Sequence, residues 1–437
     1  MNYSESSIIK NLGPNPLFLD SRHYTALAFI LAVCIPQTTH GSALRYGLLL
    51  LQIGSAVQAF FAPPPPVLDV ALLYTSGVFM GNMLARYIDR LYIHTPETSF
   101  YRVQNVSSSS ITPPKLEDIS NTPLSARIFW AFELISVTRG IGWNWRVAGI
   151  PKPSVASTRF QFAASQLLRW VAMYTGLNLV TLACRTILSN PNPSLNIPGD
   201  LHIHILIVVG FITTIYSHFA ILILPLSAIC VGLQVGPRSW REVSSWPPNF
   251  GSITEAYSIR RFWGYTWHQQ LRRQTGVPGS YLLGLLPESV RVSRRTPVRL
   301  ARRYFLHIMS FVVSGAIHAC GTYQVTRAFG TPLWDGGKMR YFLVQGVAII
   351  IEDFVCWVLG VDDRSGAKPT TMRRWMGYAI TVSWYVCTRV YVLAIPVALS
   401  CGIRDEREDI YAALELARRS AAAVPGNFVA QAWELFL

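Results

Sequence analysis

Apolar runs of roughly span length recur along this chain, separated by polar stretches rich in proline, serine or arginine. A bilayer core of ~30 Å needs about 20 helical residues, and on that rule the pattern predicts about eight spans. Residues 24–36 form a short first span or a re-entrant piece. Spans 44–62 and 67–84 follow, parted by Pro63 to Pro66, a run that cannot lie inside a helix. Then come 160–188 and the nearly uncharged 201–233, which is too long for one straight helix. Pro225 is expected to kink or break it, leaving one long span, alone or followed by a re-entrant piece. The last three spans are 304–325, 340–360 and 375–401. The predicted fold class is all-α, a multi-pass transmembrane helical protein, and no internal repeat is visible.

The polar sections set the orientation. Residues 85–157, 234–303 and 361–374 are separated from one another by pairs of spans, so all three can face one side. All carry net or local positive charge, and loops rich in Lys and Arg stay cytosolic. Both termini then fall in the lumen, and the sequon at Asn105 lies on the cytosolic side, unused. Within 85–157, the stretch 124–146 places Phe129, Trp130, Phe132, Arg139, Trp143, Trp145 and Arg146 at helical spacing. It reads as a helix lying on the membrane or as an ordinary amphipathic loop helix. The tail, 402–437, is charged and helix-prone over 405–423. The N-terminus lacks the basic lead-in of a cleaved signal, so the first span is expected to serve as its own targeting signal. Residues 1–437 are read as a single integral-membrane domain.

Composition supports this picture. The 437 residues are 51% hydrophobic and only 14% charged, against about 25% charged in soluble domains, and mean hydropathy is +0.31. The net charge of +15 is concentrated in 234–303, which holds twelve arginines against three glutamates. Nucleic acid is one partner for such a patch; cytosolic loops beside a lipid bilayer are the better account, and no nucleic-acid partner is expected. The seven cysteines sit in or beside apolar runs without a Cys-x-x-Cys pair, so they read as small buried apolar residues.

Two segments carry candidate chemistry. Residues 260–273 read RRFWGYTWHQQLRR and look like an interfacial helix, with Phe262, Trp263 and Trp267 in the headgroup layer. Arg260, Arg261, Arg272 and Arg273 point to water or phosphate, which arginine's planar fork recognises. His268 is either part of a site or a spare residue of an anchor helix. Further on, residues 311–318 read FVVSGAIH. On a helix Ser310, Ser314 and His318 share a face, with Gly315 and Gly321 allowing close approach. His318 lies roughly 21 Å into the span at ~1.5 Å per residue. A histidine there is either a neutral general base in a water-poor cavity or a hydrogen bond between helices. Glu352, Asp353 and Arg389 lie within predicted spans and read as structural ion pairs or a polar pathway. His202 and His204 lack a third ligand, so no metal is expected. The His-x-x-x-Asp, Gly-x-Ser-x-Gly, His-Glu-x-x-His and P-loop motifs are absent.

Taken jointly, FWGYTWHQQLRR and FVVSGAIH resemble the wax-synthase-like branch of the membrane-bound O-acyltransferase (MBOAT) superfamily, most of all fungal members that acetylate terpenoid and meroterpenoid metabolites. That family has Phe-Trp-Gly-x-x-Trp-[Asn/His] before a span bearing Ser-Gly-x-x-His. Here these are Phe262, Trp263, Gly264, Trp267 and His268, then Ser314, Gly315 and His318. Gln345, Gly346, Glu352 and Asp353 also look like family positions. The resemblance implies an MBOAT-like fold, His318 as the catalytic histidine and His268 in the second motif position. It implies acetyl-CoA as co-substrate without a metal, a hydroxylated terpenoid-like acceptor, and the endoplasmic reticulum membrane. The mechanism expected is direct: His318 takes the acceptor proton, and His268 or a backbone N–H holds the oxyanion. The arginines of 260–303 meet the CoA phosphates. Ser314 is the nucleophile if an acyl-enzyme forms. Ala319 stands where plant-type wax synthases carry Glu. A long-chain wax or sterol-ester synthase is one alternative, and a non-enzymatic transporter the other.

Overall fold

The computed structural model describes residues 30, 33–34, 39–61, 70–103, 119–153, 158–189, 201–328, 337–361 and 369–388. Most of the expected first span, the tetraproline run, Asn105, Arg389, the end of the last span and the tail lie outside them, as do the side chains of His202 and His204. The long helices, in chain order, are α1 Thr39–Phe61, α2 Val70–Tyr87, α3 Leu124–Ser136, α4 Arg159–Ser189, α5 Leu201–Gly232, α6 Arg272–Gly284, α7 Thr296–Ala328, α8 Gly337–Val358 and α9 Thr371–Thr388. No strand occurs among the described residues, only one isolated antiparallel bridge between Arg102 and Trp143. Three helices there are long and apolar enough to cross a membrane: Ile212–Gly232 in α5, Thr296–Arg327 in α7 and Lys338–Val358 in α8.

The chain forms two compact units. The first draws on Met1–Leu68, Leu73–Ile150 and Gln269–Leu333; the second on Asp69–Leu72, Pro151–His268 and Trp334–Leu437. In the first unit the core gathers Tyr87, Phe100, Trp130, Leu134, Trp143 and Trp145. Each large side chain buried there contributes about 1.5–3 kcal/mol. The expected helix over 124–146 ends at Ser136, because the chain turns through Gly140 and Gly142 at φ +66° and +79°, a region that favours glycine. The tryptophans expected in the headgroup layer instead turn inward, while Phe129 and Phe132 are exposed.

Glycines also decide how α2 meets α7 within this unit. A Cβ on Gly77 would lie 2.4 Å from the Cys320 oxygen, and one on Gly321 would lie 2.7 Å from the Tyr74 oxygen. Gly81 sits against Ile317 and Cys320. As α2 residue numbers rise, the facing α7 numbers fall, so the helices are antiparallel. α7 begins at Thr296, inside the section read as a basic loop. Pro297 suits the first turn of a helix and the arginines that follow are good helix formers.

In the second unit α4 and α5 lie side by side. α5 runs unbroken through Pro225, so of the expected kink or break the break does not occur. Proline removes the N–H that would bond the carbonyl four residues earlier. That carbonyl, on Ile221, accepts the indole N–H of Trp170 at 3.1 Å instead.

Candidate active site

In the first unit the candidate chemistry lies on α7. Ser310 Oγ bonds the Leu306 oxygen at 2.9 Å and Thr326 Oγ1 bonds the Thr322 oxygen at 3.1 Å. Hydroxyls spaced by four residues thus form a polar stripe along an otherwise apolar helix. His318 belongs to that stripe, half-buried, with Nδ1 2.8 Å from the Ser314 oxygen. A carbonyl only accepts, so Nδ1 carries the proton and Nε2 carries the lone pair. In the neutral ring that bond makes Nε2 the acceptor nitrogen. Ser314 acts here through its backbone.

Arg272 and Arg273 begin α6 in the same unit. Arg272 is exposed and bonds Gln269 Oε1 at 2.8 Å. Arg273 points inward to Asp89, with Nε–Oδ2 2.6 Å and Nη2–Oδ1 2.9 Å.

The rest of the motif segment belongs to the second unit, and it is not one interfacial helix. A short turn, Ile259–Arg261, leads into the wide turn Phe262–Thr266, which closes with Trp267 N–H on the Phe262 oxygen at 2.7 Å. Trp267 is extended. The cause is tertiary: Gly251 N–H bonds the Thr266 oxygen at 2.9 Å and Thr266 Oγ1 bonds the Ser252 oxygen at 3.1 Å. A side chain at Gly251 would collide with the Tyr265 oxygen.

The start of this segment is pinned from α8. Glu352 accepts the backbone N–H groups of Ile259 and Arg260 at 3.0 and 2.9 Å. Asp353 pairs with the Arg260 guanidinium, and Arg261 pairs with Glu255. Beyond the pin, Phe262 stacks on Trp267 with centroids 5.4 Å apart, and Trp263 meets Phe342 at 5.9 Å. His268 lies among Phe219, Trp267 and Phe250, at 4.6, 5.3 and 5.6 Å. Phe250 also lines a cleft of about 520 Å³, counting its open mouth, with Gln166, Arg169, Tyr216, Trp246 and Asn249. The sequence reading missed these cleft residues. For Trp246, Asn249 and Phe250 the signal was the WPPNFG run at 246–251, whose prolines and glycine mark a shaped loop carrying two aromatics.

The profile described as "Membrane bound O-acyl transferase family" matches residues 246–344. The O-mevalon transferase macI of Penicillium terrestre is 68% identical over 97% of this chain and 96% of its own length. The chain belongs to the membrane-bound O-acyl transferase family. The O-mevalon transferase yanI of Aspergillus niger is 54% identical over 95% of this chain and 94% of its own length. An acetyltransferase of Arthrobotrys oligospora is 28% identical over 85% of this chain and 79% of its own length. No solved structure matches. Membership makes this chain an acyltransferase enzyme of a membrane-bound family and sets the transporter alternative aside.

Proposed function

We propose that this acyltransferase moves an acyl group from a CoA thioester to a hydroxyl of a terpenoid-like small molecule. The acyl group we favour is of the mevalon type, because the relatives of 68% and 54% identity are named for that transfer. Acetyl, expected from the sequence, is the second reading, favoured by the acetyltransferase similarity at 28%. The protein acts as one integral-membrane domain of about eight spans in the endoplasmic reticulum, with 85–157, 234–303 and 361–374 cytosolic.

One observation carries the chemistry: the His318–Ser314 bond that leaves Nε2 as the basic nitrogen. His318 Nε2 takes the acceptor's hydroxyl proton as its oxygen attacks the thioester carbon. The tetrahedral oxyanion collapses, the C–S bond breaks, and the imidazolium returns the proton to the departing thiolate. Such a base contributes ~10²–10⁴-fold. His268 is proposed as the donor to the oxyanion on its motif position and its desolvating aromatic neighbours. Exposed Arg272 is proposed at the CoA entrance; Arg260, Arg261 and Arg273, each paired with a carboxylate, brace the segment. Turnover of an acyl-CoA by membranes carrying wild type or His318→Ala tests the reading. Wild type is expected to release CoA only with acceptor present, and the variant to be inactive at equal protein level.

A further inference from the structure

The end of α2 and the wide helical turn Ile88–Ile93 that follows it bury more positive charge than the described residues neutralise. Arg90 is 0% exposed and Arg86 is 5% exposed. Each spends one nitrogen on the end of α3: Arg86 Nη1 on the Ile135 oxygen at 2.7 Å, Arg90 Nη2 on the Val137 oxygen at 3.1 Å. Arg86 Nε and both Arg90 Nε and Nη1 are buried without a hydrogen-bond partner among the described residues. Arg90 lies over the Trp145 ring at 4.7 Å, and Arg273 lies over the same ring at 5.2 Å. Beside Arg273, in the first turn of α6, Gln274 is 1% exposed with both side-chain polar atoms unpartnered, and Trp145 Nε1 is unpartnered as well.

Among the described residues one acid sits among these arginines, and it is taken. Asp89 holds Arg273 through both oxygens, and His94 Nδ1 lies 2.9 Å from Oδ1. The other buried acids nearby in sequence are also paired, Glu97 with Arg45 and Glu133 with Arg102. Three guanidiniums against one carboxylate leave positive charge in excess. A buried charge is costly unless paired, and an unmade buried hydrogen bond adds to the cost. An anion rich in acceptors meets both needs. A phosphate does so best, because arginine binds it through parallel N–H bonds.

We propose that Arg86, Arg90 and Gln274 form a phosphate site, and that the phosphate belongs to the CoA thioester donor. The identification of the donor as a CoA thioester rests on the function proposed above. Position favours this source over a lipid headgroup. Gly81 of α2 lies at the level of Ile317 on α7, beside His318. Arg86 follows five residues later, ~8 Å further along the axis at ~1.5 Å per residue, and Arg90 lies beyond it in the turn Ile88–Ile93. Because the helices are antiparallel, that displacement runs toward the N-terminal end of α7, into which the basic stretch 269–303 leads. The pantetheine arm of CoA separates phosphate from thioester and spans such a distance. The site therefore holds the charged end of the donor while the acyl carbon reaches the level of His318.

The test uses the full-length enzyme in nanodiscs, as wild type, Arg90→Gln, Arg86→Gln and Arg90→Lys. CoA affinity is measured directly, and donor KM and kcat by turnover. Losing one charge-assisted bond is expected to weaken CoA binding roughly ten- to a hundredfold, with acceptor KM unchanged and Arg90→Lys intermediate. Wild type is expected to prefer an acyl-CoA over the matching acyl-pantetheine, and Arg90→Gln to lose that preference. If Arg90→Gln fails to fold, competition of CoA by pyrophosphate on wild type, weakened in Arg90→Lys, supports the site. Unchanged CoA affinity in folded variants overturns it. Unchanged CoA affinity with loss of stabilisation by anionic-lipid nanodiscs overturns the donor assignment in favour of a lipid. Wild type that uses no acyl-CoA at all refutes the proposed function instead, and is seen before any variant is made.

Discussion

The imidazole of His318 is steered by the backbone oxygen of Ser314, one helical turn away at 2.8 Å. Because the carbonyl and not the hydroxyl makes that bond, the two residues should respond differently to substitution. His318→Ala should lower kcat by at least ~10²–10⁴-fold. Ser314→Ala keeps the carbonyl and should leave kcat within a few fold. A Ser314→Ala enzyme as impaired as His318→Ala, or an acyl adduct trapped on Ser314 by mass spectrometry, would replace direct transfer with an acyl-enzyme.

Glu352 caps the motif segment from α8 by accepting two backbone N–H groups. Glu352→Ala should leave both donors unpaired and destabilise the fold by about 1–3 kcal/mol. Glu352→Gln, which keeps one acceptor oxygen, should fall between it and wild type. Thermal unfolding in detergent measures the order. Equal melting points for all three would mean that the cap contributes nothing.

The α2–α7 contact tolerates no side chain at Gly77. Gly77→Ala should force the helices apart, cost about 1–3 kcal/mol and reduce turnover through displacement of α7. Gly47, with open space around its Cβ position, is the control, and Gly47→Ala should be neutral or slightly stabilising. Wild-type turnover in Gly77→Ala would show that α7 does not depend on this contact.

His94 and Asp89 give the first unit a pH dependence. The Asp89 carboxylate raises the His94 imidazole pKa above its ordinary value. That pairing is fully present below about pH 6.5 and is lost as pH rises through the raised value. Burial alone would push Asp89 up, but the bonds from His94 and Arg273 hold it below the ordinary carboxylate range. Its share of stability is therefore lost only as pH falls through that lowered value. Melting temperature should thus decline as pH rises from 6.5 toward 8, and His94→Gln should flatten that decline. An identical slope in the variant would exclude His94 as its source.

Much of the helical plan could be read directly because apolar run length is a one-dimensional property. The same holds for His318, whose face is set by spacing of four along one helix. What failed to read out was tertiary. Nothing local in residues 260–273 reports that Gly251 and Ser252 draw Thr266 out of a helix. Trp130, Trp143 and Trp145 have the composition of a headgroup belt, and only their packing shows them as a core. Pro225 is a breaker by local rules until Trp170 supplies the missing donor. Arg86, Asp89 and Arg90 recur at spacings of three and four just after the predicted span 67–84, so their signal was present. Their significance depends on which carboxylates reach them.

The donor decides between the readings of function. An acetyl group presents only a methyl to its pocket, whereas a mevalon-type acyl group carries hydroxyls that must be paired when buried. A site built to pair a substrate hydroxyl rejects analogues lacking it by as much as ~10⁴–10⁵ in kcat/KM. The favoured reading therefore expects the purified enzyme to use a mevalon-type acyl-CoA at least ~10²-fold better than acetyl-CoA, with palmitoyl-CoA essentially inactive. His268→Ala sharpens the same experiment. An oxyanion donor acts on every acyl group alike, so its loss should lower kcat by ~10²–10³ with each donor used and leave the preference unchanged. Higher kcat/KM for acetyl-CoA would return the enzyme to acetyl transfer. A preference for palmitoyl-CoA would refute both readings in favour of a wax-ester synthase, and a normal kcat in His268→Ala would leave that residue a packing element within its aromatic surround.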